Sequence, residues 1–168
     1  MLKPALITGV VLTLAGVAAG CWPVENVMER SRKLVATRTY ERRGPRVIVR
    51  AGAQRVTDAS GQAMSVTMVL SADGYWVRSR DEYLTRELLR GTKILVVDRA
   101  WDTLGGRRTT TLLSRWIHEG GAVLMLGRGE GPDTRRRLGA GRIAVVDPTA
   151  FGTAELVEHL LDAIHWLD

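Results

Sequence analysis

Residues 93–127 read KILVVDRAWDTLGGRRTTTLLSRWIHEGGAVLMLG, and the change of period within them decides the fold. Lys93–Asp98 is nearly all apolar, as a strand is when both faces of its sheet are covered. Over Thr109–Glu119 the period lengthens. Leu112, Leu113, Trp116 and Ile117 fall at i, i+1, i+4 and i+5, which makes one apolar helix stripe. Gly120-Gly121 closes that helix by supplying a left-handed cap, and Ala122–Gly127 is apolar strand again. Strand, helix and strand in this order form a parallel βαβ unit.

The alternation extends in both directions. Arg46–Arg50 is a β-branched strand ended by Ala51-Gly52. Ser60–Asp73 reads as a helix, with Ala63, Val66, Val69 and Leu70 on one face and Gly74 as its stop. Tyr75–Ser79 is the next strand, and Thr85 caps a short helix that ends at Gly91. Residues 128–141 read as a loop, 142–147 as the fifth strand. Leu156, Val157, Leu160, Leu161, Ile164 and Leu167 then line one side of a closing helix. Five short strands alternating with helices predict a three-layer α/β domain with a mostly parallel five-stranded sheet.

The chain has 168 residues, 45% of them hydrophobic and 25% charged, which suits one domain plus about forty residues of appendage. We place a leader at 1–21, a basic linker at 22–44 (helical near Val27 to Tyr40) and the α/β domain at 45–168. One cysteine excludes an internal disulfide and a multi-cysteine zinc site. The three histidines, His118, His159 and His165, do not make a histidine-rich metal centre. The formal charge of +6 is unevenly placed. Between Glu29 and Arg55 lie Arg30, Arg32, Lys33, Arg38, Arg42, Arg43, Arg46, Arg50 and Arg55, against only Glu29 and Glu41. A solvated linker, a membrane-surface contact and nucleic-acid binding all fit such a run. No nucleic-acid motif accompanies it, so nucleic acid is the least favoured.

Residues 4–22, PALITGVVLTLAGVAAGCW, carry no charge. Lys3 makes a weak positive n-region, Ala5–Leu14 an apolar core, and small residues follow, which is signal-peptide anatomy. The run Val17-Ala18-Ala19-Gly20-Cys21 resembles a bacterial lipobox, in which the cysteine is lipidated and becomes the mature amino terminus. About 19 apolar residues can also just span a bilayer. An uncleaved anchor would then put the Arg-rich side in the cytoplasm, whereas a lipoprotein would carry its domain outside. An ordinary cleaved signal is the third possibility.

Taken together, PRVIVRAG (45–52), DGYWVRS (73–79), LLRGTKILVVD (88–98), LLSRWIHEGGAVLMLG (112–127), GRIAVVDPTAF (141–151) and the closing HLLDAIHWLD (159–168) resemble the glutamine-amidotransferase-like domains of the DUF4350 type. The resemblance covers about residues 45–168, and its strongest piece is Trp116-Ile117-His118-Glu119-Gly120-Gly121 with the strand after it. It implies a flavodoxin-like sheet of the class I amidotransferase superfamily. Catalytic members carry a nucleophilic cysteine on a strand-to-helix elbow, with a later histidine and glutamate. Here the turn after the fourth strand reads Gly127-Arg128-Gly129-Glu130-Gly131, and Cys21 lies outside the domain. A thiol amidase lacks its nucleophile.

Ligands of open α/β sheets bind beyond the carboxyl ends of the strands. Those ends supply Gly52 and Gln54; Asp98, Arg99 and Asp102, with Trp101 beside them as a ligand contact; Arg128, Glu130 and Asp133; and Asp147 and Thr149. If Asp98, Glu130 and Asp147 converge, three carboxylates suit a hard cation such as Mg²⁺ or Ca²⁺; otherwise each caps its own loop. Residues 128–137 are Gly-rich and basic but do not form a P-loop. No cofactor is implied. The leading expectation is a non-catalytic domain tethered to the outer side of a bacterial membrane, in the periplasm or beyond, with a small molecule, an envelope polymer or a protein as partner. The alternatives are a metal-dependent hydrolase or isomerase using the strand-end carboxylates, and a cytoplasmic-facing regulatory module of a membrane complex.

Overall fold

The computed structural model describes residues 24–41, 43–99, 106–129 and 131–168. The leader with Cys21, and the candidates Trp101, Asp102 and Glu130, lie outside the described residues. The elements are α1 (Val24–Lys33), β1 (Arg46–Arg50), a 3₁₀ turn (Ala51–Ala53), β2 (Arg55–Thr57), β3 (Ala63–Ser65), α2 (Val66–Ala72), β4 (Trp76–Arg80), α3 (Arg86–Leu89) and β5 (Ile94–Asp98). They continue as α4 (Gly106–His118), β6 (Ala122–Leu126), β7 (Asp133–Leu138), β8 (Gly141–Val146), a second 3₁₀ turn (Pro148–Ala150) and α5 (Thr153–Leu167).

The main sheet runs β4-β1-β5-β6-β8-β7, with the first five strands parallel and β7 antiparallel at the edge. Numbering only the parallel strands along the chain gives 2-1-3-4-5, the order of flavodoxin-like sheets. Successive side chains of a strand point to opposite faces, so each central strand feeds two cores. Val47, Val49, Ile94, Val96, Leu124 and Val146 pack with α2 and α5; Ile48, Leu95, Val97, Val123 and Ile143 pack with α3 and α4. All of β1's central residues and the first four of β5 are buried, which is why these strands are apolar throughout. The expected three-layer architecture is present, with six strands rather than five.

The sixth strand is β7, in the stretch read as a loop. Its sequence, DTRRRL, hides a period of two because both faces carry polar residues. Asp133 and Arg135 reach toward α5, where Arg135 bonds Asp162 at 2.6 Å. Edge strands are commonly charged, which blunts their tendency to pair with other chains. The second difference is at Ser60–Asp73. There β2 and β3 form a hairpin, Ala63 lies in β3, and the helix begins only at Val66, where the Ser65 hydroxyl accepts from the Met68 amide. Elsewhere the signals read true: Thr85 caps α3, and Gly120, at φ +107°, closes α4.

Residues 24–33 form a helix that lies on α2 and β3, with Val27 and Ser31 buried and the Ser31 hydroxyl accepting from the Ser65 amide at 2.8 Å. The segment after it is pinned to the domain: the Thr39 amide donates to the Asp73 carboxylate at 2.8 Å, and the Gly44 amide to the Gly74 carbonyl at 3.0 Å. Among the described residues no helix is long and apolar enough to cross a membrane.

Asp58 organises the hairpin. Its Oδ1 accepts from the Ser60 amide and hydroxyl and the Gln62 amide, and its Oδ2 accepts from the Thr153 hydroxyl at the start of α5. Burial alone would raise its pKa, but these four bonds to the ionised form outweigh it and bring the value from 3.8 down to about 2. A depressed carboxylate contributes stability above its unfolded pKa and loses it as pH falls through the folded one. Urea unfolding between neutral pH and pH about 2 therefore shows a loss of about 2 kcal/mol attributable to this group, concentrated below the model-peptide range. Asp58→Asn removes most of that acid-dependent part and is less stable at neutral pH.

Candidate binding crevice at the strand ends

The strand order reverses between β1 and β5, one continuing through α2 and the other through α4 on the opposite face. In open α/β sheets such a switch point is where ligands bind. Gly52 and Asp98 meet there. A Cβ at residue 52 would overlap the Asp98 carboxylate, so glycine is what allows the carboxylate to lie against the first turn after β1. Asp98 is half-buried, and it forms no hydrogen bond or ion pair with any described residue.

The rest of the rim is knitted together. The Gln54 amide nitrogen donates to the Ser79 hydroxyl. The Arg50 guanidinium donates to the carbonyls of Glu82 and, at 3.2 Å, Asp81. These bonds tie the ends of β1 and β4 together, and none of them uses the Asp98 carboxylate. Arg99 follows on the exposed side, its amide held by the Leu126 carbonyl at 3.1 Å, and its Cβ lies close to Gly127.

Asp147 is not part of this group. Asp98 is in register with Leu126, and Leu126 with Val146, both on the face packed by α2 and α5. Asp147 is the next residue along an extended backbone and so falls to the other face, two strands away. Its Oδ1 accepts from the Thr149 amide at 3.0 Å and hydroxyl at 2.7 Å, capping the second 3₁₀ turn. Asp147 and Thr149 thus bond each other. Among the described residues no three His, Cys, Asp or Glu side chains gather to hold a metal ion. Arg128 is exposed beyond β6, and the chain continues there into β7, an edge strand, instead of turning sharply into a helix.

The histidines have partners that sequence reading missed. His165 Nε2 lies 2.7 Å from Asp73 Oδ2 and 2.9 Å from the Thr39 hydroxyl. This resembles a relay in composition only. A base that shuttles a proton uses one ring nitrogen for its orienting acid and the other for the nucleophile, whereas here one nitrogen serves both. His159 stacks on Phe151 with ring centroids 4.0 Å apart and meets Asp133 at 3.1 Å. Burial opposes ionisation of Asp133, but Arg135 and His159 outweigh it and hold its pKa below the usual range. Both pairs fasten α5 to its neighbours. His118 bonds the Ser114 carbonyl at 2.7 Å within the last turn of α4. No sequence signal marks the aspartates, which lie 26 and 92 residues from their histidines.

No family model matches this chain, and no curated protein matches it.

Gly52 and Asp98 are expected to be energetically coupled. Gly52→Ala forces the carboxylate aside in the wild type but meets no such obstacle in an Asp98→Ala background. Its cost in urea unfolding should be larger in the wild type by about 1 kcal/mol, the size of coupling usual for residues in contact.

Proposed function

We propose that this chain is a membrane-tethered, non-catalytic α/β domain of the amidotransferase-like, DUF4350 type, which binds its partner at the switch-point crevice. Asp98 carries this reading. A half-buried carboxylate with no partner among the described residues is unfavourable to the fold, and such groups are found where a ligand uses them. An open acceptor flanked by a hydrogen-bonded rim suits a ligand bearing hydroxyl or amino donors. The non-catalytic part rests on inventory and topology: no cysteine lies in the domain, and β6 leads into an edge strand where the superfamily's catalytic members have their elbow. The tether rests on the uncharged run at 4–22 and the lipobox-like residues before Cys21. A lipid on Cys21 would place the domain on the outer side of a bacterial membrane.

If Asp98 is held for a ligand, Asp98→Asn is neutral or stabilising, by up to about 1 kcal/mol in thermal or urea unfolding. A clear loss of stability would instead make Asp98 a structural residue and remove the support for the crevice.

The mass of the mature amino terminus from membranes checks the tether. A chain that begins at a diacylated Cys21, and is unprocessed in Cys21→Ala, is the expected result. An unmodified chain with Met1 intact would favour an uncleaved anchor with the domain on the cytoplasmic side.

A further inference from the structure

At the other end of the sheet, Trp76 and Arg46 are paired at the starts of β4 and β1. The Trp76 ring is flanked by three guanidinium groups, with Arg43, Arg78 and Arg46 at 3.4, 4.7 and 5.7 Å from its centroid. None of the three forms an ion pair with a described residue; Arg46 Nη1 donates to the Arg90 carbonyl at 3.3 Å, and its Nε is buried with no hydrogen-bond partner. Arg43 and Arg78 are exposed. The neighbouring arginines of this strand pair are engaged elsewhere, Arg80 with Glu82 at 3.3 Å and Arg50 with main-chain carbonyls.

Three positive charges around one ring lie within about one Debye length of each other, roughly 10 Å at ordinary ionic strength, so they repel with little screening. The ring face offsets part of that repulsion and holds the guanidiniums in place. What remains is a preorganised cluster in which the exposed forks of Arg43 and Arg78 meet no anion among the described residues. We infer that it is a binding site for a multiply charged phosphate group, either free in solution or on a lipid headgroup. Arginine forks match phosphate oxygens in pairs, which a singly charged carboxylate exploits less fully. Arg43 lies against the ring at van der Waals distance and so occupies the place a stacked base would need, which disfavours single-stranded nucleic acid as the occupant. The cluster sits at the amino ends of the strands, and the Asp98 crevice at their carboxyl ends, so the two sites are independent.

The test follows the indole N–H signal of Trp76, identified by its loss in Trp76→Phe, in detergent-solubilised full-length protein. Inorganic pyrophosphate should shift it saturably, with affinity falling as salt is raised. Arg43→Gln and Arg78→Gln, both at exposed positions, should each weaken binding about tenfold or more, the usual loss for a hydrogen bond to a charged group. Arg78→Lys should restore part of it. A shift with phosphatidic acid vesicles, whose headgroup is a phosphomonoester, but with neither pyrophosphate nor phosphatidylcholine vesicles, would also support the site and assign its phosphate to a lipid headgroup. No shift with any of these overturns the inference. So does unchanged pyrophosphate binding in both Gln variants; if those variants also self-associate, the arginines guard the open edge of β4 instead.

Discussion

The central strands of this protein are dry on both faces, and the remaining features follow from that. A strand packed against helices above and below has no room for polar side chains along its length, so its chemistry is displaced to its ends. β1 ends at Arg50 and the Ala51–Ala53 turn, and β5 ends at Asp98. The chain order reverses between these two strands, and Asp98 lies beside Gly52 at their carboxyl ends. The position of Asp98 is thus a consequence of how the sheet is buried, and its carboxylate has no partner among the described residues.

The pleat then decides which strand-end residues can act together. Asp98 and Asp147 look equivalent as terminal residues of apolar strands. A difference of one residue in register places them on opposite faces, and Thr149 takes up the second carboxylate. The same separation of faces explains the histidines. His159 and His165 belong to α5, and each finds an aspartate on the element it packs against. Their bonds hold the helix and the incoming segment at Thr39, and neither histidine stands beside the crevice.

The sheet's two edges and two ends divide the charge. β7 carries Arg135 into a network with Asp133 and Asp162, whereas β4 presents Arg78 beside Trp76 with no acid to meet it. Both edges are arginine-rich, and on each one arginine is paired with an acid, Arg135 on β7 and Arg80 on β4. Three of the arginines behind the positive charge of the composition gather around Trp76, near the amino ends of β1 and β4.

The sequence by itself determined the layered α/β class, the five parallel strands, the start of α3 and the close of α4. Those features depend on local periods and caps, which neighbouring residues specify: the apolar run at 94–97, the stripe from Leu112 to Ile117, Thr85 and Gly120. Gly52 and Asp98 were legible as strand-end candidates for the same reason. Only the tertiary structure decided that these two touch, that Asp147 faces away, and that residues 133–138 are a strand. Each of these depends on register between strands or on a partner far along the chain. The β7 side chains, polar on both faces, carry no periodic trace of their pairing with β8. The hairpin at 55–65 was masked by apolar residues that also fit a helix, and it is Asp58, bonded to Thr153 across the fold, that selects the turn.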